Sequence, residues 1–374
     1  MNFLWKVFMG KRIHYMDALN VLSCFAVVVL HCTLHVFGPL RDSYWKTALI
    51  LQGIFIFAVP VFFMLSGSHL LDYRSKYSTT TFFKKRLVKV GGGLLIASAI
   101  CYVIYSVFPG SFYAADSFAK DFSLRGFLSR FATNTINDTY WFLYSIIYLY
   151  LITPLLALGA ERKRLLEGVL VMGFLVAFAI PMLTYLHVLN STVAQSLFNW
   201  PFFASTSTFY YIAGYYLSRW PIEGKSKVVF SIFIGLLSLL IMGWLGFTIN
   251  VNAKTYDSFM ISVDSAFCAI YSISIFVAFQ ALEKKLSSLP GKFLKLLSSM
   301  AAATFFVYLF HVPFVNWLGN NLRSERLNSL FYTYPIAKAL FVFVIVGALS
   351  LLWNRLKARA SAWLKNRDTR VVSS

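Results

Sequence analysis

The chain has 374 residues, 59% of them hydrophobic and only 13% charged, with a mean hydropathy of +0.68, which excludes an ordinary soluble domain. Its apolar runs are near-continuous over about 20 residues, which excludes the shorter alternating strands of a membrane β-barrel. The net charge of +20, from 34 Lys+Arg against 14 Asp+Glu, would suggest nucleic acid in a soluble chain, but its distribution ties it to membrane topology and no nucleic-acid partner is expected.

Lipid holds no water to satisfy backbone N–H and C=O groups, so each run is read as a helix. In chain order the predicted spans are 17–37, 48–71, 88–108, 140–158, 167–189, 198–218, 228–248, 259–282, 299–319 and 331–354. The fold class is therefore all-α, a polytopic transmembrane bundle of about ten spans. The first run lacks a small-residue cleavage site and reads as a retained span rather than a signal peptide. The sixth is the weakest, with Pro201 before it and a polar stretch from Ser205 to Thr208, and could be partly re-entrant. Cys24, Cys32, Cys101 and Cys268 all fall in apolar runs and form no paired motif, so they read as small buried hydrophobes. The chain divides into a short N-terminal segment (1–15), a membrane domain (16–354) and a basic tail (355–374), with no internal repeat.

Basic residues assign the sidedness. One set of segments carries Lys6, Lys11 and Arg12; Arg74, Lys76, Lys84, Lys85, Arg86 and Lys89; Arg162, Lys163 and Arg164; Arg219, Lys225 and Lys227; Lys284, Lys285, Lys292 and Lys295; and the tail from Arg355 to Arg370. The alternate loops hold only Arg41, Lys46, Lys120, Arg125, Arg130, Lys254, Arg323 and Arg326. Both termini are therefore expected in the cytoplasm. Topology and attraction to anionic membrane lipids account for most of this charge. A sharper reading applies to Lys85, Arg86 and Lys89, which share neighbouring helix faces where the third span leaves the cytoplasm and could hold the phosphates of a nucleotide-like donor.

Ionisable groups at membrane depth are the natural functional candidates. His31 lies ~21 Å along a helix from Asp17, and His311 ~18 Å from Ser299, so two distant segments bring histidines to similar depth. Asp264, on the predicted eighth span, is expected ~8 Å below the outer surface. Histidine suits acyl transfer because it takes up and releases a proton near neutral pH, and a carboxylate such as Asp264 could orient it. Equally, each histidine could do no more than hydrogen-bond a neighbouring helix. His35 falls four residues after His31, but no further spacing supports a metal site, and none is expected. His35, His69 and His187 read as interfacial, and His14 as cytoplasmic.

Several segments taken together resemble the membrane acyltransferase-3 family of bacterial O-acyltransferases. The stretch from Tyr15 to His31 resembles its opening motif, with His31 at the position of the essential histidine. Asn20 stands where that motif has a basic residue, with Lys11 and Arg12 the nearest basic neighbours. Pro60 to Gly67 resembles its Phe-Phe-x-x-Ser-Gly turn, and Lys85 to Lys89 its Arg-x-x-Arg motif, with Lys89 for the second arginine. Tyr140 to Leu143 followed by Pro154 resembles its Trp-Phe-Leu…Pro span, and Thr304 to His311 its closing Tyr-Leu-x-His element.

The resemblance implies an O-acyltransferase of the bacterial cytoplasmic membrane. Its donor would be cytosolic acyl-CoA, usually acetyl-CoA, as a co-substrate and not a bound cofactor. Its acceptor would be a hydroxyl of a cell-envelope or lipid-linked glycan. His31 would be the base or a transient acyl carrier, with Asp264 as a possible orienting partner. Arg86, Lys89 and Lys85 would meet the donor, and Asn20, Trp141, Tyr308 and His311 would complete substrate binding. A different class, a glycan or lipid exporter without acyl chemistry, fits ten spans as naturally, but neither inverted repeats nor paired broken helices are visible.

Overall fold

The computed structural model describes residues 12–372 apart from 40, 113–115 and 199, with side chains as far as 356. Lys6, Lys11 and the side chains of the basic tail beyond 356 lie outside the described residues. Among those residues there are helices and turns and no strands.

The principal helices are α1 (His14–Cys32), α2 (Ser43–Phe55), α3 (Ala58–Leu70), α4 (Thr79–Val107), α5 (Trp141–Leu156) and α6 (Lys163–Tyr185). They continue with α7 (Thr206–Arg219), α8 (Lys225–Asn250), α9 (Ala266–Ala281), α10 (Gly291–Asn321) and α11 (Pro335–Val372). A two-residue turn separates α2 from α3, and together they form one crossing. Eight helical segments are long and apolar enough to span a bilayer among the described residues, and the protein is a multi-pass membrane protein.

The sixth and eighth predicted spans are not among those eight. They are α7 and α9, of 14 and 16 residues, or ~21 and ~24 Å, shorter than ~30 Å of hydrocarbon. Both are held inside the bundle by close neighbours, α7 against α3 and α9 against the longer α8. At the α3–α7 crossing two glycines let the backbones meet. A Cβ on Gly67 would stand 1.8 Å from the Tyr211 carbonyl oxygen, and one on Gly214 2.1 Å from that of Met64. Small residues are what allow membrane helices to approach so closely. Gly235 does the same for α8 and α9, beside Ser274, whose hydroxyl donates to the Ser231 carbonyl at 2.8 Å.

Caps explain several helix starts. Asp42 accepts from the Trp45 amide, Ser78 from Thr81 and Ser205 from Thr208. Inside α10, Pro313 cannot donate to the carbonyl four residues earlier, that of Leu309. The Tyr140 hydroxyl donates to that oxygen instead, at 2.7 Å. The helix around Pro313 and the start of α5 are thereby joined next to the histidines.

Candidate active site

Helices α1 and α10 run parallel and in register, and polar contacts climb between them. Ser298 Oγ donates to Asp17 at 3.4 Å, Asn20 Nδ2 to the Ala301 carbonyl at 3.2 Å, and Cys24 Sγ to the Thr304 carbonyl at 3.5 Å. The highest rung is the histidine pair, with His311 Nε2 3.1 Å from His31 Nδ1. The sequence separation across these rungs stays at 280 or 281 residues. A constant offset is what two parallel helices with the same rise require.

Backbone carbonyls assign the protons. His311 Nδ1 faces the Val307 and Tyr308 carbonyl oxygens at 3.0 and 2.8 Å. A carbonyl only accepts, so in the neutral ring Nδ1 carries the hydrogen and Nε2 is bare. His31 Nδ1 in turn faces the Val27 carbonyl at 2.9 Å and the bare His311 nitrogen. It therefore also carries its hydrogen, which leaves His31 Nε2 as an unoccupied base. His311 is fully buried, whereas His31 is half-buried.

Below the pair, towards the basic end of the bundle, lies a cavity of about 610 Å³. Lys76, Tyr77, Arg86, Lys89, His69 and Asp17 line its mouth, and Asn20 and Tyr150 line it one turn further along α1 and α5. Asp17 is already engaged by Arg12 at 2.5 and 3.2 Å, so the free charge of the mouth is positive. That hydrogen bond also pushes the Arg12 guanidinium above its usual pKa. Arg86 Nε is buried with no hydrogen-bond partner among the described residues. Arg86 is also a lining residue of the cavity, and a guanidinium with an unused donor there fits an anionic group such as phosphate. At the deep end stands Tyr308, three residues before His311, or ~4.5 Å along α10, with the two ring centroids 5.9 Å apart.

Of the residues expected from sequence, the structure brings together His31 with His311, and Asn20, Arg86, Lys89 and Tyr308 around one cavity. Asn20 also accepts from Thr304 Oγ1 at 3.3 Å and so ties α1 to α10. Lys85 does not line the cavity; its Nζ sits 4.8 Å above the ring of Tyr77, which does. Trp141 does not line it either and is 42% exposed.

Asp264 requires a correction. It lies outside α9, in an exposed turn, and accepts from Thr206 Oγ1 at 3.0 Å. The turn is fixed from below: Asn250 accepts from the Asp257 amide at 2.7 Å, and the Tyr210 hydroxyl donates to the Val263 carbonyl at 2.7 Å. No hydrogen bond joins Asp264 to either histidine among the described residues, and the group beside His31 Nδ1 is His311. His69, read as interfacial, is exposed near the end of α3 and also lines the cavity mouth. Phe62 and Phe142, the other deep-wall residues, were not among the expected site residues, although both lie in segments that carry the family resemblance, Phe62 in the Phe-Phe-x-x-Ser-Gly stretch and Phe142 in the Trp-Phe-Leu one. No cluster of three or more His, Cys, Asp or Glu suited to a metal occurs among the described residues.

Neither a curated protein nor a solved structure matches this chain. A family model does, and it bears the description acyltransferase domain. Its match runs over residues 13–354 and so takes in both histidines, the cavity and every bundle helix as far as the bilayer-length part of α11. With nearly its whole length accounted for in that way, the chain belongs to the acyltransferase-3 family.

Proposed function

We propose that the protein moves an acyl group, acetyl in the first instance, from acyl-CoA to a hydroxyl of a cell-envelope or lipid-linked glycan. In this reading the basic end faces the cytoplasm and the membrane is the bacterial cytoplasmic one. The donor's phosphates rest on Arg86 and Lys89, and its arm carries the thioester up the cavity. The acceptor arrives from the opposite end, where α1 finishes one residue beyond His31.

His31 Nε2 takes the proton from the acceptor hydroxyl as the oxygen bonds to the acyl carbon. The C–S bond then breaks, and the proton passes from His31 to the departing thiolate. While His31 is cationic, its Nδ1–H is held by the His311 lone pair and the Val27 carbonyl, so His311 acts as a positioning residue. The observation that carries this reading is the bare His31 Nε2, one helical turn beyond the deep end of a cavity whose mouth is cationic.

The test uses purified protein with labelled acetyl-CoA and envelope glycan. His31→Ala should abolish label transfer and leave the melting temperature near that of the wild type. Full transfer by this variant removes the mechanism.

A further inference from the structure

On three of the helices that line the cavity, α3, α5 and α10, the lining side chain farthest from the mouth is aromatic. On α3 the lining residues run from His69 and Ser66 up to Phe62, on α5 from Tyr150 and Ile146 up to Phe142, and on α10 from Ala301 up to Tyr308. The Phe142 ring touches both of the others. Phe142 is the hub, with centroids 5.8 Å from Phe62 and 5.4 Å from Tyr308, and a fourth ring, Phe63, at 4.8 Å behind it. The Tyr308 hydroxyl is anchored to the Thr139 carbonyl at 2.5 Å, and its ring stands against His311. Neither histidine lines the cavity. The wall, with Tyr308 against His311, therefore stands between the cavity and the histidine pair; Phe142 and Tyr308 are buried and Phe62 is partly buried.

From this we infer that Phe62, Phe142 and Tyr308 form a size filter that admits a short acyl group and rejects longer ones, with Phe142 as the side chain that sets the limit. The inference rests on the acyl-CoA reading given above. Tyr308 is pinned through its hydroxyl, whereas Phe142 is held only by ring packing, so shortening Phe142 enlarges the passage without freeing a polar group. A hydrophobic pocket discriminates by about 10- to 200-fold per methylene. An acetyl and a butyryl chain differ by two.

The experiment uses the full chain in membranes that contain its native acceptor, supplied with labelled acetyl-CoA or butyryl-CoA. Alkali-labile label in the glycan fraction is read for each donor. The wild type should favour acetyl, and Phe142→Ala should raise the butyryl-to-acetyl ratio by at least about tenfold. Phe142→Leu and Phe62→Leu, which keep a branched apolar side chain in the wall, should raise it less, and they decide the matter if the alanine variant does not fold. Wild-type transfer combined with an unchanged ratio in every folded variant overturns the filter and leaves the acyl-CoA reading standing. If the wild type transfers no acyl group from either donor, that reading falls and takes the filter with it.

Discussion

Where two imidazoles meet inside a membrane, the carbonyls around them decide what each can do. His311 spends its only hydrogen on its own helix, and the nitrogen left over accepts from His31. This predicts different outcomes for two substitutions. His311→Ala removes the acceptor and should lower kcat on the order of 10²-fold, with little change in KM for acyl-CoA. His311→Gln offers a carbonyl oxygen near the same place and should recover part of that loss. Equal activity in the two variants, once both are shown to melt like the wild type, would mean that His311 only fills space. That the histidines share a depth was legible from helix rise alone, because both helices enter from the same side. That they face each other was not, because it depends on how α1 and α10 are rotated in the bundle. Asp264, read as a possible orienting partner on a span, stands in a turn before α9 for a local reason. The apolar run through Phe259, Met260 and Ile261 looks like the start of a span, but Asn250 ties the chain before it into a turn.

Helix length separated the readable elements from the others. The eight long helices announce themselves by about 20 apolar residues each, while α7 and α9 are short enough to be legible only as apolar segments of uncertain reach. What holds them is close contact. Gly67, within the segment from Pro60 to Gly67 that marks the family resemblance, is there for the α3–α7 crossing, and its lack of a side chain is the feature the packing needs. Gly67→Ala should therefore destabilise the protein by about 3 kcal/mol or more, at or above the upper end of ordinary overpacking, because the added carbon meets backbone that cannot swing aside. Gly243→Ala is the control: it is also mid-helix, but a Cβ there meets nothing within 4 Å, so alanine should be neutral or mildly stabilising. Thermal melts of the two variants in detergent should diverge clearly, and coincident melts would show that the crossing has room to spare.

Over the whole molecule, the charge asymmetry is what gives the cavity a direction. The mouth with Lys76, Arg86 and Lys89 opens at the end of the bundle where most of the Lys and Arg residues gather, and that bias is the signature of a cytoplasmic face. A cytosolic donor and an external acceptor are compatible only if this orientation holds, since a bilayer is closed to acyl-CoA. The four native cysteines are all buried, so a membrane-impermeant maleimide should label the wild type weakly and a cysteine placed on either face can be read against little background. Ser288, exposed at the basic end between α9 and α10, and Ser129, exposed at the opposite end between α4 and α5, are suitable positions. Ser129→Cys should react in intact spheroplasts, and Ser288→Cys only after the membrane is permeabilised. The reverse pattern would put the cationic mouth outside the cell, where no acyl-CoA reaches it, and His31 would then have to serve a donor of another kind.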